Sequence, residues 1–298
     1  MAMLTFSELH GDRLYSPKLW RGLAPPLTSG PFTSPSGNPA IGVFDDFVGF
    51  GGTLSTNTGS YYSGVNRYIS YQTASTLLTN VALTPTPASV APTSIGAVIF
   101  QPASGITDND QISLQWGGHE LTPFGSFPFA VIPGMSKDLA FECRLKVNTI
   151  SNSIGDIFIG LAGAAGVAPA AQNVPITATA DTLATTVSLL GFHKLSGDGD
   201  KVDFAYERAS GTTAYKTDVA TLVADTYIKL GFRYSGRTKT VSLFVDGAEV
   251  TASRVAASVT GATPWPNDFM APMLATMQVD GTTAMTPTVD WYACAQYV

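Results

Sequence analysis

Leu243-Phe244-Val245-Asp246-Gly247-Ala248-Glu249-Val250 is the stretch that decides the fold. An Asp-Gly pair between alternating apolar runs predicts a two-residue hairpin. Its type I′ turn needs positive φ at both central positions, and these two residues tolerate that best. Working outward, residues 227–234 and 240–245 read as the strands that feed this turn, and Val202, Phe204 and Tyr206 alternate with Asp203 and Glu207 just upstream. Residues 137–147 alternate most cleanly: Leu139, Phe141, Cys143, Leu145 and Val147 fall on one face, with Ala140, Glu142, Arg144 and Lys146 on the other. Period two with one apolar face predicts a half-buried strand. Residues 154–161 form a near-continuous apolar strand, and residues 43–48, 68–71, 95–100 and 288–295 add shorter ones. No stretch keeps a 3.6-residue period between caps, so helices are expected to be short or absent. Around a dozen strands spaced by about 8–12 residues predict an all-β fold, an antiparallel β-sandwich of jelly-roll type rather than βαβ units.

Composition narrows the function. The 298 residues are 45% hydrophobic but only 13% charged, against about 25% charged in an ordinary soluble domain. Sixteen basic residues against 22 acidic ones give a net charge of −6. Scattered cations on an acidic chain do not neutralise phosphates, so no nucleic-acid partner is expected. No window approaches the roughly 20 continuous apolar residues of a spanning helix, so no membrane partner is expected either. Residues 1–10 lack a basic region followed by an apolar run, so no secretory signal is expected. Scarce charge has two readings: a β domain surfaced with Ser and Thr, or a subunit whose surface is covered by neighbours, since large permanent interfaces are depleted in charge.

Residues 1–42 stand apart. Gly22, Pro25, Pro26, Gly30, Pro31, Pro35, Gly37 and Pro39 break any helix or central strand. Leu14, Tyr15, Leu19 and Trp20 supply anchors, which predicts an extended arm that packs on its own domain or on a neighbour. These four are the candidate interface residues. Residues 43–298 form the sandwich domain, with residues 163–186, rich in Ala, Thr and Pro, as an insertion loop.

No constellation of reactive residues emerges. His10, His119 and His193 lie in unrelated contexts and are expected at the surface or an interface. No metal-ligand spacing links them to Cys143 or Cys294, and these two cysteines are expected as buried thiols. Asp198-Gly199-Asp200-Lys201-Val202-Asp203 lacks the late glutamate of a calcium loop and reads as a turn; Asp45-Asp46 and Asp108-Asn109-Asp110 read as turn or strand-edge residues. None of the five glutamates, Glu8, Glu120, Glu142, Glu207 and Glu249, stands in the paired-carboxylate spacing of jelly-roll glucanases. No cofactor, metal site or catalytic residue is expected, and the chain is read as a non-enzyme. Tyr61, Tyr62, Trp116, Phe124, Phe127, Phe129, Trp265 and Trp291 are the aromatics that could face a glycan, although most rings in β proteins are core.

The segments Val202-Asp203-Phe204-Ala205-Tyr206-Glu207, Ala224-Asp225-Thr226-Tyr227-Ile228-Lys229-Leu230-Gly231-Phe232 and Leu243-Phe244-Val245-Asp246-Gly247 resemble a concanavalin A-like (laminin G-like) jelly roll. With Pro272-Met273-Leu274-Ala275-Thr276 and the ending Val289-Asp290-Trp291-Tyr292-Ala293-Cys294-Ala295-Gln296, the chain is similar over residues 135–298 to a group of tailed-phage virion proteins of this fold. The resemblance implies a virion structural protein, above all a capsid decoration (cement) protein. It would be a homotrimer on the major capsid protein of a phage, assembled in the host cytoplasm and displayed on the capsid surface. A carbohydrate- or receptor-binding module of a phage tail is the alternative.

Overall fold

The computed structural model describes residues 15–23, 25–26, 29–34, 37–47, 51–55, 58–63, 66–72, 97–100, 111–117, 128–133, 137–151, 154–163, 176–177, 182–183, 186–279 and 285–298. Among them, eight strands build one antiparallel sheet and ten build another. The first sheet runs, in spatial order, β1 (Gly30–Thr33), β2 (Pro39–Asp45), β20 (Thr288–Tyr297), β9 (Leu139–Lys146), β16 (Ile228–Tyr234), β17 (Val241–Val245) and β18 (Ala248–Glu249), with β6 (Val98–Ile99) beside β20. The second runs β15 (Ala214–Thr221), β14 (Lys201–Glu207), β13 (Leu189–Lys194), β10 (Gly155–Gly163), β19 (Asp268–Gln278), β7 (Gln111–Trp116), β5 (Asn66–Gln72), β4 (Thr58–Ser63) and β3 (Gly51–Ser55), with β8 (Phe129–Val131) beside β19. The chain crosses from one sheet to the other between β2 and β3, on either side of β6, on either side of β9, between β15 and β16, and on either side of β19. The fold is therefore the expected all-β antiparallel sandwich. A four-residue helical turn, Ala257–Thr260, is the one α-helix among the described residues.

Inward-facing residues of both sheets merge into one core. Phe232 of β16 packs against Phe204 of β14 and Phe192 of β13, with ring centroids 5.3 Å and 6.3 Å apart. Phe141 of β9 stacks on Phe232 at 5.4 Å. A polar strut crosses the same core. Tyr68 of β5 donates its hydroxyl to Asp45 of β2 at 2.5 Å and lies 2.6 Å from the Tyr292 hydroxyl of β20. The deciding hairpin forms as read: Asp246 and Gly247 have φ of 47° and 81°, between paired Val245 and Ala248. Cys143 and Cys294 are buried and free on adjoining strands. Cys143 lies opposite Tyr292 and Cys294 opposite Phe141, so the two thiols are offset by two residues.

Three expectations need correction. The described part of residues 1–42 packs on its own domain, one of the two expected placements of the arm, but it is not a unit separate from the sandwich. β1 and most of β2 fall within them, and Ala40 through Asp45 pair with Tyr297 through Tyr292, so the boundary at residue 42 cuts a strand. Residues 17–23 are consecutive turns instead of extended chain. The amide of Trp20 bonds the Ser16 carbonyl at 3.2 Å, with Pro17 following Ser16 where its fixed φ suits a first helical turn. Finally, β9 is covered on both faces, since Ala140 and Glu142 are as buried as Phe141. The cover is the segment 15–23, which no period-two pattern within β9 can report. Of the expected insertion at 163–186, Gly163 closes β10. The described remainder is a small ladder, β11 (Ile176–Thr177) with β12 (Thr182–Leu183).

Candidate functional site

The outer face of the first sheet carries a built receptor for residues 15–23, here termed the strap. Register creates it. Across the sheet, Ala293 of β20, Glu142 of β9 and Gly231 of β16 stand in one row, and Ala295 faces Ala140 in the next. Glu142 thus stands between residues with almost no side chain, and its carboxylate is open to a cover. The strap provides that cover. The Trp20 indole donates to Glu142 Oε2 at 2.7 Å, the Ser16 amide to the same oxygen at 3.1 Å, and the Ser16 hydroxyl to Oε1. Leu19, Trp20 and Leu23 pack with Phe244, Trp291, Ala293 and Ala295. Leu19 sits in a notch that exists only because residue 231 is glycine: a Cβ there would stand 2.2 Å from Leu19 Cδ1. Arg233 donates to the carbonyls of Leu19 and Arg21, at 3.4 Å and 2.5 Å, while its other nitrogen bonds Asp138 at 2.9 Å. The Tyr297 hydroxyl reaches the Gly22 carbonyl at 2.6 Å. Burial pushes the Glu142 carboxyl up, opposed by its Ser16 and Trp20 bonds and by the Lys229 charge.

Of the four candidate interface residues, Leu14 lies outside the described residues. Tyr15, Leu19 and Trp20 are spent on their own chain, with Tyr15 edge-on to Trp291 at 5.1 Å. Their partners Glu142, Gly231 and Arg233 were missed. A lone acid in mid-strand was the available signal, but only register reveals that its neighbours are Ala and Gly.

A second polar cluster lies on the outer face of the other sheet. His193 faces Asp203 across β13 and β14, and Glu207 lies four residues on along the same face. The His193 ring leans on Tyr215 of β15, centroids 4.8 Å apart, and its Nε2 is 3.9 Å from the Asp203 carboxylate. Thr213 donates to Glu207 Oε2. Ala205 and Tyr215 sit between these ends, next to Ile176 and Leu183 of the small ladder. His193 is buried, contrary to expectation, because Tyr215 and the residues around the ladder cover this face. Its two ring nitrogens and Glu207 Oε1 have no hydrogen-bond partner among the described residues. Burial lowers the His193 pKa to about 3 and raises that of Glu207 to about 7, the Thr213 bond opposing the latter.

The other residues singled out in the sequence are structural or fall outside the described residues. His10, His119, Glu8, Glu120, Phe124, Phe127 and the Asp108-Asn109-Asp110 turn belong to the latter group. Phe129, Trp265 and Trp291 are core rings, and Trp116 is half-buried against the core. Asp198 ends a short helical turn, Ser196–Asp198, whose first amide bonds the Asp156 carboxylate. Beside it Lys194 is buried and donates to the carbonyls of Gly155 and Leu195 at 3.1 Å and 3.3 Å. Among the described residues no three His, Cys, Asp or Glu side chains converge as a metal site.

These features define an antiparallel β-sandwich with one strap-closed face and, on the other sheet, a buried polar cluster beside apolar residues under the small ladder. No protein-family model matches the sequence, and no curated protein does. Solved structures similar to it include lectin II from Ulex europaeus, with 12% identity over 86% of this chain and 98% of that one, at a TM-score of 0.48. A protein of unknown function from Shewanella oneidensis MR-1 matches at 14% identity over 100% of this chain and 96% of that one, at a TM-score of 0.47. The carbohydrate recognition domain of Emp47p matches at 10% identity over 74% of this chain and 94% of its own, at a TM-score of 0.43. The neighbours are lectin-like jelly-roll sandwiches, and the likeness is one of fold.

Proposed function

We propose that this chain is a non-enzymatic structural protein of a phage virion, and specifically a capsid decoration protein that sits as a homotrimer on the major capsid protein. The observation that carries this reading is the distribution of charge. The chain is only 13% charged, and Asp45, Glu142, Asp156, Lys194, Glu207 and Asp290 are buried. Asp45, Glu142, Asp156 and Asp290 each hold a strut, strap, turn or ion pair inside the fold. These buried groups add nothing to the surface, so the outside carries fewer charges than the sequence contains, as suits a surface covered by neighbours. The test is to quantify the protein on purified virions and its binding to emptied capsids. A fixed stoichiometry with the major capsid protein is expected; absence from capsids overturns the reading.

A carbohydrate-binding role is the second reading. It is supported by the half-buried Tyr215 ring on the outer face of the second sheet, a flat apolar surface of the kind that suits a sugar face. Specific glycan-array binding that Tyr215→Ala abolishes would place this reading first.

A further inference from the structure

The strap face has the properties of a peptide-recognition site that its own chain happens to fill. Recognition is by side-chain chemistry at three points: a glycine notch for Leu19, one carboxylate accepting from Ser16 and Trp20, and an arginine holding two strap carbonyls. The residues that supply these points, Glu142, Gly231 and Arg233, lie more than 100 positions away in sequence, so none of the contacts depends on chain continuity. The strap of a second copy meets the same groups in the same geometry. We propose that the strap is exchanged between copies, residues 15–23 of one chain docking on the outer face of the first sheet of another.

Two further features favour exchange. The hinge between strap and β1 contains Pro25-Pro26, and prolines stiffen a connector toward extended conformations. Closure is also incomplete: the Nε1–H of buried Trp291, beneath the strap, has no acceptor among the described residues. When the strap lifts, water can satisfy that donor, which offsets part of the cost of opening. Swapping an identical element is a low-cost route to oligomers. The inference goes beyond the virion role and stands without it.

The geometry supplies its own probe. A Cβ at Gly247 would lie 3.6 Å from Ser16 Cβ, within the separation a disulfide spans. The native thiols are buried. Full-length S16C and G247C chains, purified reduced, mixed and then oxidised, are expected to give a covalent heterodimer; the double variant reports closure at the same site within either arrangement. Light scattering of the unmodified chain is expected to give an integral multiple of the monomer mass as concentration rises, and Gly231→Val, which fills the Leu19 notch, to return it to the monomer. A monomer mass at every concentration overturns the proposal. So does an oligomer that survives Gly231→Val, or one that forms while the mixed single variants stay uncrosslinked and the double variant closes as a monomer. None of these readouts involves a capsid, so loss of exchange and loss of capsid binding are separable.

Discussion

Asp45, Tyr68 and Tyr292 join three strands and both sheets through one hydroxyl. Tyr68→Phe keeps the ring and removes the O–H that Asp45 accepts at 2.5 Å. Loss of a buried hydrogen bond to a carboxylate is expected to cost about 1–3 kcal/mol, read as a lower urea midpoint with unchanged slope. His193 and Glu207 give a sharper residue-scale expectation, because their pKa shifts act with opposite sign. Glu207 is raised from 4.5 to about 7. Between those values the folded state holds a proton that the unfolded state has released, so this contribution is full below pH 4.5 and is lost as pH rises toward 7. His193 is lowered from 6.5 to about 3, so its contribution is present above pH 6.5 and lost as pH falls. Urea unfolding at stepped pH checks both. Relative to Glu207→Gln, the wild type is expected to lose stability as pH climbs from 4.5 to 7; relative to His193→Phe, it is expected to lose stability as pH drops below 6.5.

At the scale of elements, the strap is the part that sequence left open. Ladder strands were legible because their information is local: Leu139, Phe141, Cys143 and Leu145 repeat at period two, and Asp246-Gly247 names its own turn. Glu142 sits in the same run, and local pattern placed it toward solvent. Its burial depends on Ala293 and Gly231, which register sets beside it, and on a cover more than 100 residues upstream. His193 fails for the same reason, being covered by Tyr215 on β15 and by the residues around the small ladder. Residues 15–23 read as an arm with anchors, which is right about the anchors, but what they anchor to is a long-range property. The glycine notch gives this element its test. Gly231→Val is expected to expel Leu19 and forfeit about 1.5–3 kcal/mol of side-chain burial. Limited proteolysis is expected to cut within residues 15–23 faster in the variant than in the wild type, while fragments from the rest of the sandwich appear at the old rate.

For the whole molecule, the first sheet is built from both ends of the chain: β1 and β2 come from the beginning and β20 from the end, and β2 fills one side of β20 along Ala40 to Asp45. The strap then closes the outer face across β9, β16 and β20. The strap, β1 and β2 are thus part of the structure of the sandwich, whichever copy supplies the strap. A truncated chain beginning at residue 43 would lose the strap, β1 and most of β2, leaving the β20 ladder open and Trp291, Ala293 and Ala295 bare. An open flat edge beside an apolar face is a template for intermolecular pairing, and on a chain with 13% charged residues little repulsion opposes it. Deleting residues 1–42 is therefore expected to give aggregated protein without a cooperative thermal transition, measured by calorimetry and light scattering beside the full chain. A soluble, cooperatively folding 43–298 fragment would mean that β20 can end the sheet by itself. In that case the first 42 residues would have to be assigned to binding alone.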